Sequence, residues 1–522
     1  HQRYSALPVA ELRKADVDRR DRLSRWAVDY LIATKDKGLE AMLKAALERR
    51  YSASPGEGFF TGGGLHTFEN FKREDDYRNP TVREALRDSV NLAFIRIMRD
   101  VVRYYMYQPG SPARALQDAG SAGRSAYLSR FADREGRVFL QRYYRKYHGT
   151  SAEGLLAKLV AGIRPSEHRL AAIYRLVEPE AGLESFAEFL NQYRQGEISE
   201  SQVADLYERY APGKFSLADQ GYLARVHPLE LWLVGYLRHN PGATLTQVLD
   251  ASAAERQDVY SWLFKTRHRN AQEQRINSLL EIEAFEEVHR QWKRLGYPFE
   301  RLVPSYATAI GSSGDRPAAL AELMGVIVND GVRLPTVRLE RLHFAADTPY
   351  ETEMRRTASS GERVMASEVA AVLRDALGDV VAAGTARRLY GAFDLPDGTE
   401  IRVGGKTGTG DNRIESYGTK GQLVGSRALN RTATFVFYVG DRHFGTLTAF
   451  VAGAKADEYS FTSALPVQIL KVLAPQILPF FDPQRPARCA PATPAILAQT
   501  PITPNTPDLR PVAADSGALR PN

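Results

Sequence analysis

The sequence predicts an α+β fold. It reads as a long helical chain whose strands gather near the C-terminal end, interrupted by a large all-helical insertion. Three observations carry this. From about Val101 to Glu281 the chain is a succession of helical patterns, among them "RVFLQRYYRKYHG", "LESFAEFLNQYRQG" and "LELWLVGYLRHNPGATLTQVL", each closing near Gly or Pro. Beyond residue 400, "IRVGGKTGTG", "TATFVFYVGD" and "FGTLTAFVAGA" carry β-branched and aromatic residues between turn-rich segments. The 522 residues are 43% hydrophobic and 25% charged, a balance that excludes a disordered chain and is long enough for two or three domains.

The elements follow in order. The first 50 residues read as charged amphipathic helix. "YSASPGEGFFTGGGLHTFENFKREDDYRNP" is a loop, because its Gly, Pro and Asn content forbids regular structure through most of it. Thr81 and Glu84 have capping-box spacing at the start of a helix that turns Val82, Ala85 and Leu86 inward. A second apolar stripe restarts at Leu92 and runs through Ile95 and Met98, so Ser89-Val90-Asn91 lies at a junction between two helices. No fixed-period repeat is visible in the helical stretch. After it come "PAALAELMGVIVNDG", a helix with a turn, and "RVMASEVAAVLRDALGDVVAAGTARRL", a helix that breaks at Gly384. The strand candidates precede a closing helix, "SFTSALPVQILKVLAPQILPFF", limited by Pro466 and Pro475. The expected division is 1–100, the helical insertion at 101–281, 282–481, and a Pro- and Ala-rich disordered tail at 482–522.

Bulk chemistry narrows the function. Cys489 is the only cysteine, so neither an intrachain disulfide nor a cysteine-based metal site exists. The histidines show no metal-ligand spacing, and no metal or other cofactor is expected. No uninterrupted apolar run is long enough to cross a bilayer; "ALAELMGVIVNDG" is broken by Glu322 and Asp330. The net charge of +7 suits solubility and acidic partners alike. "FKTRHRNAQEQR" interleaves basic and aromatic residues, but in a helical pattern where a solvated face is the usual cause, and nucleic acid is not an expected partner.

The stretch "VGGKTGTG", Val403 to Gly410, admits two chemistries. A phosphate loop needs G-x-x-x-x-G-K-[ST] between a strand and a helix. With Gly405-Lys406-Thr407 in place, the first glycine belongs at 400, which is Glu400, and the polar "TGTGDNRIESYGTKGQ" that follows is no amphipathic helix but a loop. The alternative is a strand edge on which Lys406 and Gly408 point one way and Thr407 and Thr409 the other. Its glycines let a substrate backbone come close, and a twisted edge brings the Lys charge and a Thr hydroxyl toward one carboxylate.

"KTGT" before two further strands and a closing helix resembles the penicillin-binding transpeptidases. "PTVREALRDSVNLAFIRIM" resembles the segment of the bifunctional class A enzymes that carries their Ser-x-Asn motif. "PAALAELMGVIVNDG" and "AAGTARRL" resemble their Asn-Gly helix end and their Gly-Thr-Ala segment, in the right order. The resemblance covers roughly residues 55–100 and 295–480. It implies an antiparallel sheet flanked by helices. It also implies a D,D-transpeptidase that cross-links peptidoglycan stem peptides through an acyl-serine and is acylated by β-lactams. Ser89 would relay a proton to the leaving amine. Asn91 would orient the base lysine and the substrate amide. Lys406 would supply positive potential, and Thr407, Gly408 and Thr409 would hold the terminal carboxylate, with the Thr409 amide as an oxyanion donor. A D,D-carboxypeptidase or β-lactamase-like hydrolase on the same fold is the near alternative.

One part of the family's pattern is missing. No serine in the sequence has lysine three residues later; the nearest case puts Lys420 four after Ser416. The nucleophile motif, the first strands, the glycosyltransferase domain and the membrane anchor of the class A enzymes are therefore not found. The start at His1 and the opening in a helical pattern favour a piece of a longer, envelope-located, periplasmic enzyme anchored to the inner membrane. Taken alone, the piece would lack transpeptidase activity. The remaining reading is a non-catalytic relative whose helical insertion docks cell-wall assembly proteins while its core binds stem peptides.

Overall fold

The computed structural model describes residues 1–480 except 62–63, 110, 112, 114–115, 117–121, 195–197, 266–267, 357–360 and 418–422. The tail 482–522 and Lys420 lie outside the described residues.

The N-terminal stretch is three helices rather than one: α1 (Val9–Leu12), α2 (Arg22–Ala33) and α3 (Leu39–Leu47). The Asp21 side chain accepts from Ser24 N and starts α2 afresh, while Thr34 adopts extended backbone and ends it. The segment read as loop holds a short hairpin, β1 (Phe59–Thr61) with β2 (Gly64–His66). Phe59 is buried in the core beneath it, which gives the hairpin the anchor that composition did not reveal. Helix α4 (Val82–Asp88) begins with the Thr81–Glu84 capping box, both bonds formed. Helix α5 (Asn91–Tyr107) buries Leu92, Ile95, Met98 and Val102, the stripe its spacing predicts.

The helical body follows: α6 (Ala122–Tyr147), α7 (Ala152–Val160), α8 (Glu167–Val177), α9 (Leu183–Tyr193), α10 (Glu200–Arg209), α11 (Leu217–Ala224), α12 (Pro228–His239), α13 (Leu245–Ala251), α14 (Ala253–Val259) and α15 (Arg269–Arg294). It has two cores. One is internal, built on Leu140, Tyr147, Leu170, Phe186 and Leu231. The other joins Leu92, Ile95 and Val102 of α5 to Ile276, Leu280 and Phe285 of α15 and to Tyr306. Residues 101 and 281 thus fall inside α5 and α15, and both helices run continuously from one region into the next.

The sheet region comprises α16 (Pro317–Val328), the short strands β3 (Val332–Arg333), β4 (Arg341–Phe344), β5 (Thr352–Arg355) and β6 (Glu362–Arg363), α17 (Ser367–Ala382), then β7 (Val403–Tyr417), β8 (Leu423–Val439), β9 (His443–Ala452) and α18 (Ala464–Ile477). The last three strands form an antiparallel sheet in the order β7-β8-β9. Period-two alternation along β8 covers both faces. Phe435 and Val439 pack on Val467 and Leu470 of α18, while Tyr438 packs on Met324 and Ile327 of α16 and Leu377 of α17. The whole is a mixed α+β fold, mostly helical with a small antiparallel sheet.

The sheet differs from expectation in length. Asp411–Tyr417, read as the start of a polar loop, continues β7 and pairs with Leu423–Arg431. The pairing is polar: Asn412 Nδ2 donates to Asn430 Oδ1 at 2.8 Å, Arg413 Nε donates to Ser426 Oγ at 2.8 Å, and Arg413 pairs with Asp457 at 2.7 Å. A strand exposed to solvent on both faces carries no apolar alternation, so periodicity cannot reveal it.

The β7 glycines have distinct reasons to be glycine. A Cβ on Gly405 would lie 2.3 Å from the Val436 carbonyl oxygen, whereas one on Gly408 would meet open space. Gly405→Ala is therefore expected to lower the unfolding free energy by about 1–3 kcal/mol in urea titration, and Gly408→Ala to leave it nearly unchanged. Equal losses from the two would contradict this packing.

Candidate active site

Helix α4 ends in a Schellman turn. Ser89 takes left-handed backbone (φ 63°, ψ 49°), and Val90 N reaches back to Ala85 O at 3.0 Å. Serine without glycine's freedom carries a cost of about 1 kcal/mol there. The turn is clamped from both sides. Val90 is fully buried with Tyr51, Ala53, Ala85 and Ala93, and Arg78 and Arg87 both donate to Asp88. Burial opposes ionisation of Asp88, but these two guanidinium groups hold its carboxyl below the usual range. Two residues on, α5 has no capping side chain at Val90, and Asn70 supplies one from the preceding loop, its Oδ1 accepting from Leu92 N at 3.0 Å. Asn70 is itself held by Ala53 O and Asp76.

A second segment is brought against this turn. Gly384 follows α17 so closely that a Cβ there would lie 2.3 Å from Arg87 O, and Thr385 N donates to that same carbonyl at 3.2 Å. Thr385 is thereby presented to the sheet, where its Oγ1 hydrogen-bonds Thr407 Oγ1 at 2.7 Å.

The third element is β7. Lys406 Nζ donates to Ser89 Oγ at 2.7 Å and to Thr407 O at 2.9 Å. No carboxylate among the described residues pairs with this ammonium, and burial alone pushes its pKa down to about 8. Thr407 is buried against Thr385, and Gly408 is exposed. Thr409 Oγ1 accepts from Ser463 N at 2.9 Å, at the start of α18. The outer edge of β7 has no strand partner among the described residues.

The structure thus joins Ser89, Lys406, Thr385 and Thr407 by hydrogen bonds, while Thr409, two residues along the same strand, is held by Ser463 N. Asn91 stands at the border of this cluster. Its Nδ2 donates to Glu69 O at 3.2 Å, and it makes no hydrogen bond to Lys406. Sequence reading left out Thr385, Ser463 and Asn70. Thr385 had a visible signal, the glycine before it, whose reason is the approach of the Arg87 carbonyl. Ser463 and Asn70 act through single backbone or side-chain bonds that no spacing announces.

Chemically, the site offers one ammonium that no carboxylate among the described residues pairs with, and beside it the hydroxyls of Ser89, Thr385 and Thr407. Ser89 Oγ accepts from Lys406, so its own proton is free to be given. In the Thr385–Thr407 pair one hydroxyl donates, and the other keeps a proton to donate elsewhere.

No family model matches the sequence, and no curated protein matches it. Among solved structures the chain is similar to penicillin-binding protein 3 of Mycobacterium tuberculosis, at 19% identity over 37% of this chain and 46% of that one, with a TM-score of 0.25. It is similar to the D,D-transpeptidase domain of a peptidoglycan glycosyltransferase from Eggerthella lenta, at 18% identity over 38% and 50%, with a TM-score of 0.23. It is also similar to a peptidoglycan glycosyltransferase from Burkholderia ambifaria, at 19% identity over 39% and 58%, with a TM-score of 0.23. The chain spans about half the length of these structures. Likeness at these scores carries no argument about chemistry, which rests on the site's own geometry.

Lys406 sets a pH dependence. Its pKa in the folded chain lies below the ordinary lysine value, so the unfolded chain holds more protons between about pH 8 and 10.5. The cost of burying the ammonium is present at neutral pH and disappears as pH rises through that window. Relative to Lys406→Met, the wild-type chain is expected to gain up to about 3 kcal/mol between pH 7.5 and 10, read as the difference between two urea titrations. A flat difference would show that the ammonium is not buried.

Proposed function

We propose that this cluster is the carboxylate-binding half of a serine D,D-transpeptidase site for peptidoglycan stem peptides ending in D-alanyl-D-alanine. The observation that carries the reading is the 2.7 Å bond from Lys406 Nζ to Ser89 Oγ, made by an ammonium that no carboxylate among the described residues neutralises. A peptide laid along the outer edge of β7 gains backbone hydrogen bonds as an added strand. Its terminal carboxylate then meets Lys406 and the hydroxyl protons of Thr407 and Thr409. In the acyl-transfer step Ser89, held by Lys406, passes its proton to the departing D-alanine amine and is reprotonated from Lys406. Asn91, whose Nδ2 rests on Glu69 O, keeps its carboxamide oxygen for the substrate amide or a base lysine. The helical body is a docking platform for cell-wall assembly proteins, and the setting is the cell envelope.

The acyl-enzyme itself needs a nucleophile. None of the 522 residues belongs to a Ser-x-x-Lys, so these residues do not supply an attacking serine and lysine base in that motif. The same absence favours a second reading, in which the cluster binds stem peptides without acylation.

The test uses diacetyl-Lys-D-Ala-D-Ala and fluorescent penicillin. The peptide is expected to bind saturably by calorimetry, at least tenfold more weakly to Lys406→Ala, and to be released as pH rises through about 8, where Lys406 loses its proton. The C-terminal amide of the same peptide is expected not to bind. Equal binding of acid and amide would overturn the assignment. Fluorescent penicillin is expected to leave the chain unlabelled. Covalent labelling of any serine would overturn the roles given to Ser89 and Lys406.

A further inference from the structure

A second site lies away from this cluster, and its argument does not depend on the proposed function. A cavity of about 400 Å³ is lined by Arg22, Arg25, Trp26 and Asp29 of α2, Arg49, Arg50, Tyr51 and Ser52 after α3, and Arg96, Arg99 and Asp100 of α5. Helical spacing explains the convergence: positions 22, 25, 26 and 29 share one face of α2, and 96, 99 and 100 share one face of α5. The result is six arginines beside four carboxylates, Asp29, Asp100, Glu57 and Glu84, an excess of positive charge. Arg96 and Arg99 are bound to Glu57. Arg50 lies 3.8 Å from Glu84. Arg49 lies 3.6 Å from Asp100 and over the rings of Trp26 and Tyr51. Arg22 and Arg25, both exposed, make no side-chain hydrogen bond or ion pair with another described residue.

Two buried atoms are left without partners in the wall. Arg99 is 9% exposed and its Nε is unsatisfied; Asp100 is 1% exposed and its Oδ1 is unsatisfied, although its Oδ2 accepts from Tyr51 at 3.0 Å. Unsatisfied buried polar atoms are rare in folded chains; Arg99 Nε is a donor that an anion can fill, whereas Asp100 Oδ1 needs a donor and does not itself favour an anion. An isolated surface arginine is ordinary. Six line this one cavity, two of them buried, and the positive charge left over after their ion pairs favours an anion in the space.

We propose that this cavity binds a phosphate-bearing ligand, with Arg22, Arg25 and Arg49 as its direct contacts. Arginine's planar fork suits phosphate oxygens, and several guanidinium groups around one space match a diphosphate better than a single carboxylate. The group can belong to a free phosphoester or to a lipid headgroup; the recognition chemistry is the same.

The test is calorimetry of the chain with inorganic pyrophosphate at fixed ionic strength, beside flotation with vesicles of phosphatidylcholine alone or with phosphatidic acid. One-site, saturable pyrophosphate binding is expected. It should weaken at least tenfold in Arg22→Gln/Arg25→Gln, whose exposed and unpaired side chains leave thermal unfolding unchanged. Arg49→Lys, which keeps the charge and loses the fork, should weaken it less. Arg294→Gln/Arg301→Gln, which removes the same charge elsewhere, should not weaken it. Acidic vesicles floating the wild type and not the Arg22→Gln/Arg25→Gln variant identify a membrane headgroup. Pyrophosphate binding without flotation identifies a soluble phosphoester. No saturable binding at millimolar pyrophosphate together with no flotation, or equal weakening by the two double variants, overturns the site.

Discussion

The hydrogen bond from Lys406 to Ser89 joins residues 317 positions apart, and the rest of the site is arranged around it. It fastens the end of α4 to the edge strand of the sheet. The same turn is tied to the segment after α17 through the Arg87 carbonyl, which excludes any side chain at residue 384 and takes the Thr385 amide. Three separate stretches therefore meet at one point: a backbone hydrogen bond ties Thr385 to the end of α4, and side-chain hydrogen bonds of Lys406 and Thr407 tie β7 to both. A buried ammonium at that point is a standing cost, offset by two good acceptors and by nothing ionic. Such an arrangement is poorly explained as a stabilising device.

Helix α5 links this cluster to the helical body. It begins at Asn91 beside the cluster, carries Arg96 and Arg99 to the arginine cavity on one face, and buries Leu92, Ile95 and Val102 against α15 on another. Because α5 and α15 cross the expected limits without a break, the helical body is rooted in a shared core. A displacement of that body would be felt at the start of α5, within two residues of Ser89.

Much of this was legible in the sequence, for identifiable reasons. The Thr81–Glu84 box and the Leu92, Ile95, Met98 stripe were readable because capping and amphipathic burial leave fixed spacings. The strand reading of residues 403–409 followed from glycines unsuited to a phosphate loop. The polar continuation of β7 through Tyr417 escaped notice, since its pairs are Asn with Asn and Arg with Ser rather than alternating apolar residues. The hairpin at 59–66 was hidden by its glycines. The site showed the same division. Residues in a recognisable run, Lys406, Thr407 and Thr409, were visible. Asn70 was not, because it acts through contacts made only in three dimensions, and Thr385 was marked only by the glycine before it. The left-handed backbone at Ser89 had no sequence mark at all, since serine is an ordinary residue at a helix end.

The account turns on whether Lys406 and Ser89 are energetically coupled. A double-mutant cycle measures this directly: urea unfolding at pH 7 of the wild type, Ser89→Ala, Lys406→Met and the double variant. A hydrogen bond from a charged, partly buried donor should give a coupling of about 1.5–3 kcal/mol. Effects that add to within about 0.5 kcal/mol would mean the two side chains do not interact, and the site built on them would not exist.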